Sequence, residues 1–235
     1  MQLIPVIDLK GGCVVHARRG AREAYRPIET PLAGSSAPLD VVAGLLALAP
    51  FRTLYVADLD AITGVGDHAM QVDALRRAFP QLELWVDAGE SGAEQVRQRA
   101  RDGRGISVIG SESLPDGAAV RAALAARPVV LSLDSDAAGR RGPRTVHEVA
   151  GLWPERVIVM TLARVGSGEG PDLATFRAVA ERARCLVTPP ALFAAGGVRG
   201  AQDLAALAQE GAAGVLVASA LHDGRLDAVT ARQWA

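Results

Sequence analysis

Eight short apolar runs, each followed by a longer stretch with different periodicity, constrain this chain more than any other feature. A run of four to eight residues rich in Val, Ile and Leu reads as a strand buried on both faces, and a helical segment after it supplies the crossover that a parallel neighbour requires. The strand segments fall at 2–8, 53–58, 82–87, 106–110, 128–134, 156–161, 191–195 and 214–218. Between them, segments 70–79, 92–101, 117–126, 173–183 and 201–210 carry Ala, Leu, Val and Arg at helical intervals. Repeated βα units over 235 residues predict the α/β class: a single (βα)8 TIM barrel, residues 1–235 as one domain, with the helices outside.

The units are not all independent. The first and fifth strands end alike, in Ile4-Pro5-Val6-Ile7-Asp8 and Val130-Leu131-Ser132-Leu133-Asp134. The third and seventh lead into glycine turns, Asp87-Ala88-Gly89 and Ala195-Gly196-Gly197, while the fourth and eighth end in Ile109-Gly110-Ser111 and Val217-Ala218-Ser219. Gly89 to Gly197 and Ser111 to Ser219 share an offset of 108 positions. A common offset predicts a barrel built from two similar half-barrels.

Side chains at the ends of barrel strands point toward the catalytic mouth, which makes Asp8 and Asp134 a candidate acid/base pair on opposite sides of the ring. Two carboxyls in different surroundings can divide the work, one ionised as base and one protonated as acid, as opening a sugar ring and moving a proton requires. Gly196 and Gly197 with Ala218 and Ser219 form a candidate phosphate cradle, because glycine lets backbone N–H groups approach an anion closely. Gly89, Gly110 and Ser111 are the matching candidates in the other half, with Asp87 an unfavourable neighbour for an anion. Thr161, ending the sixth strand, and Gly166, in the loop after it, complete the candidate binding set. Asp58 and Asp60 end the second strand, where hydrogen bonding to substrate hydroxyls or loop backbone is favoured over a metal. Glycine- and proline-rich loops at 18–38, 135–144 and 164–171 are candidate lids or clamps.

Composition narrows the partners. A net charge of -1 and a pI near 6.4 leave no electrostatic footprint for nucleic acid, and no apolar stretch is long enough to span a membrane. The expected partner is a phosphorylated small molecule. A strand almost directly after Met1 leaves no room for a signal peptide, so a cytoplasmic location is expected. Cys13 and Cys185 lack metal or redox spacing, and His16, His68, His147 and His222 are scattered singly, so no structural or hydrolytic zinc, and no other metal, is expected. Lys10 is the sole lysine, and Schiff-base chemistry in the barrel would fall to it. The sequence carries no signal for an oligomeric state.

Taken together, Ile4 to Gly12, Tyr55 to Asp60, Ser132-Leu133-Asp134, Arg164 to Ser167 with Gly170 to Leu173, Gly196-Gly197-Val198 and Ala220 to Arg225 resemble the HisA/HisF family of histidine-biosynthesis barrels. The similarity runs over essentially the whole chain, and the first segment is closer to the HisA isomerase than to the HisF cyclase. The resemblance implies an Amadori-type rearrangement of an aminoaldose phosphate to an aminoketose without a cofactor. Asp8 would remove the sugar C2 proton, Asp134 would protonate the ring oxygen, and each half-barrel would hold one phosphate of a bis-ribonucleotide.

Several positions depart from that pattern. Asp87-Ala88-Gly89-Glu90-Ser91 replaces a glycine triplet followed by Ile-Arg, His16 replaces an arginine, and Met160-Thr161 replaces Thr followed by an acidic residue. The loop after Asp134 lacks the family's tryptophan. With Ala57 to Ile62, Val86 to Gly89 and Leu162 to Ser167, this combination resembles a divergent branch of the family found in methanogens and methylotrophs beside genes for tetrahydromethanopterin and methanofuran. That branch implies an alternative, an enzyme of C1-carrier cofactor biosynthesis; a second alternative is a non-catalytic, phosphate-binding regulatory barrel.

Overall fold

A computed structural model describes residues 1–17, 21–126 and 128–235. Residues 18–20 of the first candidate lid lie outside the described residues. The eight barrel strands are β1 (Gln2–Lys10), β2 (Thr53–Asp58), β3 (Glu83–Asp87), β4 (Ile106–Gly110), β5 (Val129–Asp136), β6 (Arg156–Thr161), β7 (Ala191–Ala195) and β8 (Gly214–Val217). All run parallel in chain order, and β8 returns to β1 with Gln2 opposite Gly214 and Pro5 opposite Val217, closing the ring. Closure leaves no barrel edge unpaired. The main covering helices are α1 (Pro38–Leu48), α2 (Ala69–Ala78), α3 (Ala93–Asp102), α4 (Gly117–Ala125), α5 (Leu173–Arg184), α6 (Ala201–Gln209) and α7 (Ala228–Trp234).

Alternation sorts each strand into two faces. Ile4, Tyr55, Trp85, Val108, Val130, Ile158, Phe193 and Leu216 fill the barrel. Ile7, Val56, Val86, Ile109, Leu131, Val157 and Val215 pack outward into the helix layer. Inside, Trp85 meets Phe193 edge to face at 4.9 Å between ring centroids. Gly214 makes room for that pair: a Cβ there would stand 2.5 Å from the Phe193 ring. At the end away from the mouth, Glu83 accepts from Trp85 Nε1 at 2.8 Å and from Arg156 at 2.9 Å.

β1 and β5 run past the ends of their apolar segments. Each continues into an antiparallel hairpin, with Leu9 and Lys10 opposite Val14 and Cys13, and Ser135 and Asp136 opposite Arg140 and Gly139. The turns use glycines with positive φ: Gly11 (56°) and Gly12 (83°) in one, Gly139 (120°) in the other. The apolar runs stop at Asp8 and Asp134, so hydrophobic patterning alone places these strand ends two residues early.

Candidate active site

The C-terminal ends of the strands surround a cavity. Its wall takes Val6 and Asp8 from β1, Tyr55 and Ala57 from β2, Asp87 from β3, Met160 from β6, Ala195 from β7, and Leu216 and Val217 from β8. Loops add Ala17 and Tyr25, then Val165, Gly166 and Gly168, then Gly196, Gly197 and Val198, and finally Ala218, Ser219 and Arg225. The β6 to β8 side of the wall is rich in glycine backbone, whereas the β1 to β3 side carries the carboxylates of Asp8 and Asp87 and the phenols of Tyr25 and Tyr55.

Asp8 stands in this wall, half-buried. Asp134 is 5% exposed and is set back from the wall. Its Oδ1 accepts from the Ser132 hydroxyl at 2.6 Å, and its Oδ2 accepts from the Ser111 hydroxyl at 3.3 Å and the Glu112 N–H at 3.2 Å. Burial pushes the Asp134 carboxyl up to about 7; the Ser132 hydrogen bond opposes this, and the Asp87 and Glu112 carboxylates reinforce it. The β5 hairpin holds the arrangement from above. Arg141 N–H donates to the Asp134 carbonyl at 2.8 Å, and the Arg141 carbonyl takes a 2.7 Å hydrogen bond from His147 Nε2. The hairpin's Gly142 lies so close to the Ser111 carbonyl that a Cβ would fall 1.8 Å from it.

Tyr55 and Asp87 form a second unit in the wall. The Tyr55 hydroxyl donates to Asp87 Oδ2 at 3.2 Å, and the Gly89 N–H donates to Oδ1 at 3.1 Å. Burial first, then the charges of Asp87, Asp134 and Asp8, hold the Tyr55 hydroxyl well above its usual range, so it remains a donor. Tyr55 carries no sequence signal of its own, because all six residues of β2 are buried and no polar alternation marks the inner face. Register supplies the signal: Tyr55 lies opposite Trp85, and Ala57 opposite Asp87.

At the β7 and β8 ends, Gly196 and Gly197 adopt φ of 101° and 86°. A Cβ on Gly196 would lie 2.6 Å from the Thr161 carbonyl, and one on Gly197 would lie 2.2 Å from the Gly170 carbonyl. Only glycine fits either position. Among the described residues, no protein group accepts from the Gly197 N–H. Ser219 Oγ lies 3.3 Å from His16 Nε2, and Arg225 closes this side of the cavity while pairing with Asp223 at 2.8 Å.

Other sequence candidates fall elsewhere. Thr161 requires correction: it lies on the outer face of β6 with Val159, against Val179 and Arg182 of α5. Met160, one residue earlier, points into the mouth, since alternation admits only one of the two. Gly89, Gly110 and Ser111 are also absent from the cavity wall. Gly110 and Ser111 are buried beneath Asp134, and a Cβ on Gly110 would lie 3.1 Å from Asp134 Oδ2 and 3.7 Å from Asp87 Oδ2. Lys10 lies in the hairpin beyond Asp8, outside the cavity wall.

Asp58 and Asp60 serve loop backbone. Asp58 accepts from the Ala61 N–H at 3.1 Å, from the His68 N–H at 2.7 Å and from His68 Nδ1 at 2.7 Å. His68 Nε2 accepts from the Gly12 N–H at 2.9 Å, so this nitrogen carries no proton, and its 3.5 Å approach to Asp60 is not an ion pair. Asp60 in turn accepts from the Gly11 N–H at 2.9 Å. Both carboxylates thereby fix the β1 hairpin turn. Among the described residues, no cluster of three or more His, Cys, Asp and Glu side chains could hold a metal ion, and no helix is long and apolar enough to cross a membrane.

Comparison with known proteins adds a lineage to this geometry. The family described as "Histidine biosynthesis protein" matches residues 2–227. An uncharacterized protein of Methanocaldococcus jannaschii is 27% identical over 229 residues, spanning 97% of this chain and 96% of that protein. A protein of Halorhodospira halophila is 29% identical over 248 residues (98% of this chain, 96% of that protein), and one of Myxococcus xanthus is 29% identical over 250 residues (100% of both). Both are isomerases of an imidazole-4-carboxamide bearing a phosphoribosyl and a phosphoribosylamino group. Among solved structures, 3-hexulose-6-phosphate synthase matches with a TM-score of 0.61 at 19% identity, covering 98% of this chain and 96% of that one. That likeness is one of fold.

Proposed function

The chain belongs to the histidine biosynthesis protein family, and from that premise we propose that it isomerises a phosphorylated aminosugar, aminoaldose to aminoketose, with Asp8 as base and Asp134 as acid. The observation that carries this reading is the unequal setting of the two carboxyls. Asp134, dry and raised to about 7, retains a proton to give near neutral pH, whereas Asp8 lies in the cavity wall within reach of substrate. The substrate phosphate sits against Gly166, Gly196, Gly197, Ala218 and Ser219, with Arg225 facing it. Asp134 protonates the ring oxygen and the ring opens to an iminium; Asp8 then takes the C2 proton, giving an enaminol. Reprotonation at C1 with loss of the hydroxyl proton yields the aminoketose, and the net reaction consumes nothing.

Exchange of the sugar C2 hydrogen with solvent deuterium tests the base step directly. N-substituted ribosylamine 5-phosphates and the relatives' imidazolecarboxamide substrate are the probes. Exchange that is abolished in Asp8→Asn and strongly slowed in Asp134→Asn supports the reading; absence of exchange with every probe overturns it. One observation favours a second reading, a phosphate-binding barrel without turnover: Asp134 lies outside the cavity wall. Phosphosugar binding by calorimetry without any exchange would select that second reading.

A further inference from the structure

The two half-barrels treat their matching backbone donors in opposite ways. Applying the offset of 108 positions pairs Asp87 with Ala195, Glu90 with Val198 and Glu112 with Ala220. At these three positions the first half carries an acidic residue where the second carries an aliphatic one. In the second half the Gly197 N–H has no protein acceptor among the described residues, and Gly196, Gly197, Ala218 and Ser219 all line the cavity. In the first half, Asp87 holds the Gly89 N–H, and Asp134 holds both the Glu112 N–H and the Ser111 hydroxyl. An amide or hydroxyl already donating to a carboxylate has little left to offer a phosphate, and the carboxylate repels it.

We infer that the substrate carries a single phosphate, held at the β7 and β8 ends, and that Asp87 is the residue that denies a second phosphate to the β3 and β4 ends. The inference rests on the isomerase reading and narrows its substrate class. What faces Asp87 is the other end of the substrate, and the wall there is the Asp87 carboxylate beside the phenol of Tyr55. Hydroxyl or amine donors satisfy such a surface, and a phosphate dianion does not. Glu90 adds nothing to the charge on this wall: it is 7% exposed and bound to Arg99 at 2.7 Å, away from the cavity.

The test compares calorimetric affinities for the relatives' bis-phosphorylated imidazolecarboxamide and for the two compounds made by removing one or the other of its phosphates. Wild type is expected to bind one monophosphate at least as tightly as the bisphosphate. Asp87→Gly and Asp87→Asn are expected to move the preference about tenfold toward the bisphosphate. Thermal melts establish that both variants are folded, and Asp87→Asn retains the shape of the side chain where glycine loosens the strand end. A wild type that prefers the bisphosphate tenfold or more overturns the inference while leaving the isomerase reading intact, as does an unchanged preference in both folded variants. Failure of all three compounds and of the N-substituted ribosylamine 5-phosphates to bind overturns the cradle, and the isomerase reading with it.

Discussion

The rim at β7 and β8 and the rim at β3 and β4 are built on matching glycine turns, yet one lies open in the cavity wall and the other is tied to carboxylates. Gly197 and Gly89 both adopt left-handed backbone, with φ of 86° and 69°. The difference lies in the side chain that ends the preceding strand, Ala195 in one case and Asp87 in the other. A glycine turn is thus a phosphate site only when its N–H groups remain available. Turn geometry and donor availability are separate properties, and a sequence motif reports the first more directly than the second.

The largest break in this comparison comes from Asp134, whose carboxyl reaches from β5 to the closed rim at the β4 end. Asp134→Asn is expected to slow C2 exchange by roughly 10²- to 10⁴-fold, the usual worth of a positioned acid, as read by mass spectrometry. The same variant reports on stability. A carboxyl raised from 3.8 unfolded to about 7 folded contributes stability that is present below pH 4 and lost as pH rises through 7, on the order of 4 kcal/mol in all. Urea denaturation at pH 5 and pH 8 is expected to show wild type losing stability relative to Asp134→Asn as pH rises.

Copying the closed half onto the open one sharpens the contrast. Ala195→Asp is expected to weaken ribose 5-phosphate binding by roughly 3 kcal/mol, measured by calorimetry, because it sets a carboxylate beside the phosphate. Smaller effects separate the two turns. Gly89→Ala is expected to cost about 1 to 3 kcal/mol of stability for positive φ; Gly197→Ala is expected to cost more, since its Cβ would also lie 2.2 Å from the Gly170 carbonyl, and only Gly197→Ala is expected to weaken phosphosugar binding as well. Smallest is Thr161→Ala, which faces the helix layer: phosphosugar affinity and exchange rate are expected to stay within about twofold of wild type, since neutral contacts remote from the site change binding little.

The barrel was legible because a parallel sheet buried on both faces leaves uninterrupted apolar runs, and β2, β4, β6 and β7 end where those runs end. β1 and β5 escape that rule, since their last residues are held by hairpin partners rather than by burial. Asp8 was legible as the polar end of an apolar strand that opens into the mouth. Asp134 was legible by the same signal, but its seal of Ser111, Ser132 and the Glu112 N–H arises from neighbouring strands and could not be read from its own segment. Thr161 failed because a fully buried strand does not advertise which face is inward, and a shift of one residue exchanges Met160 for Thr161. Tyr55 was hidden for the same reason. Asp58 and Asp60 were legible as hydrogen-bonding carboxylates, with substrate hydroxyls and loop backbone left open between them; that choice, and the role of His68, ten residues beyond Asp58, depend on how the chain folds back over Gly12.

The hairpins at β1 and β5 have a consequence for conformational entropy. A residue at the end of an ordinary barrel strand is tethered on one side only, and ordering it around a substrate takes freedom from the chain. Asp8 and Asp134 instead sit within or beside continuing ladders, with Asp8 opposite Val15 and Ser135 opposite Arg140. Their backbone positions are therefore set during folding, and binding a substrate has little disorder left to remove from the two residues that must be placed most accurately.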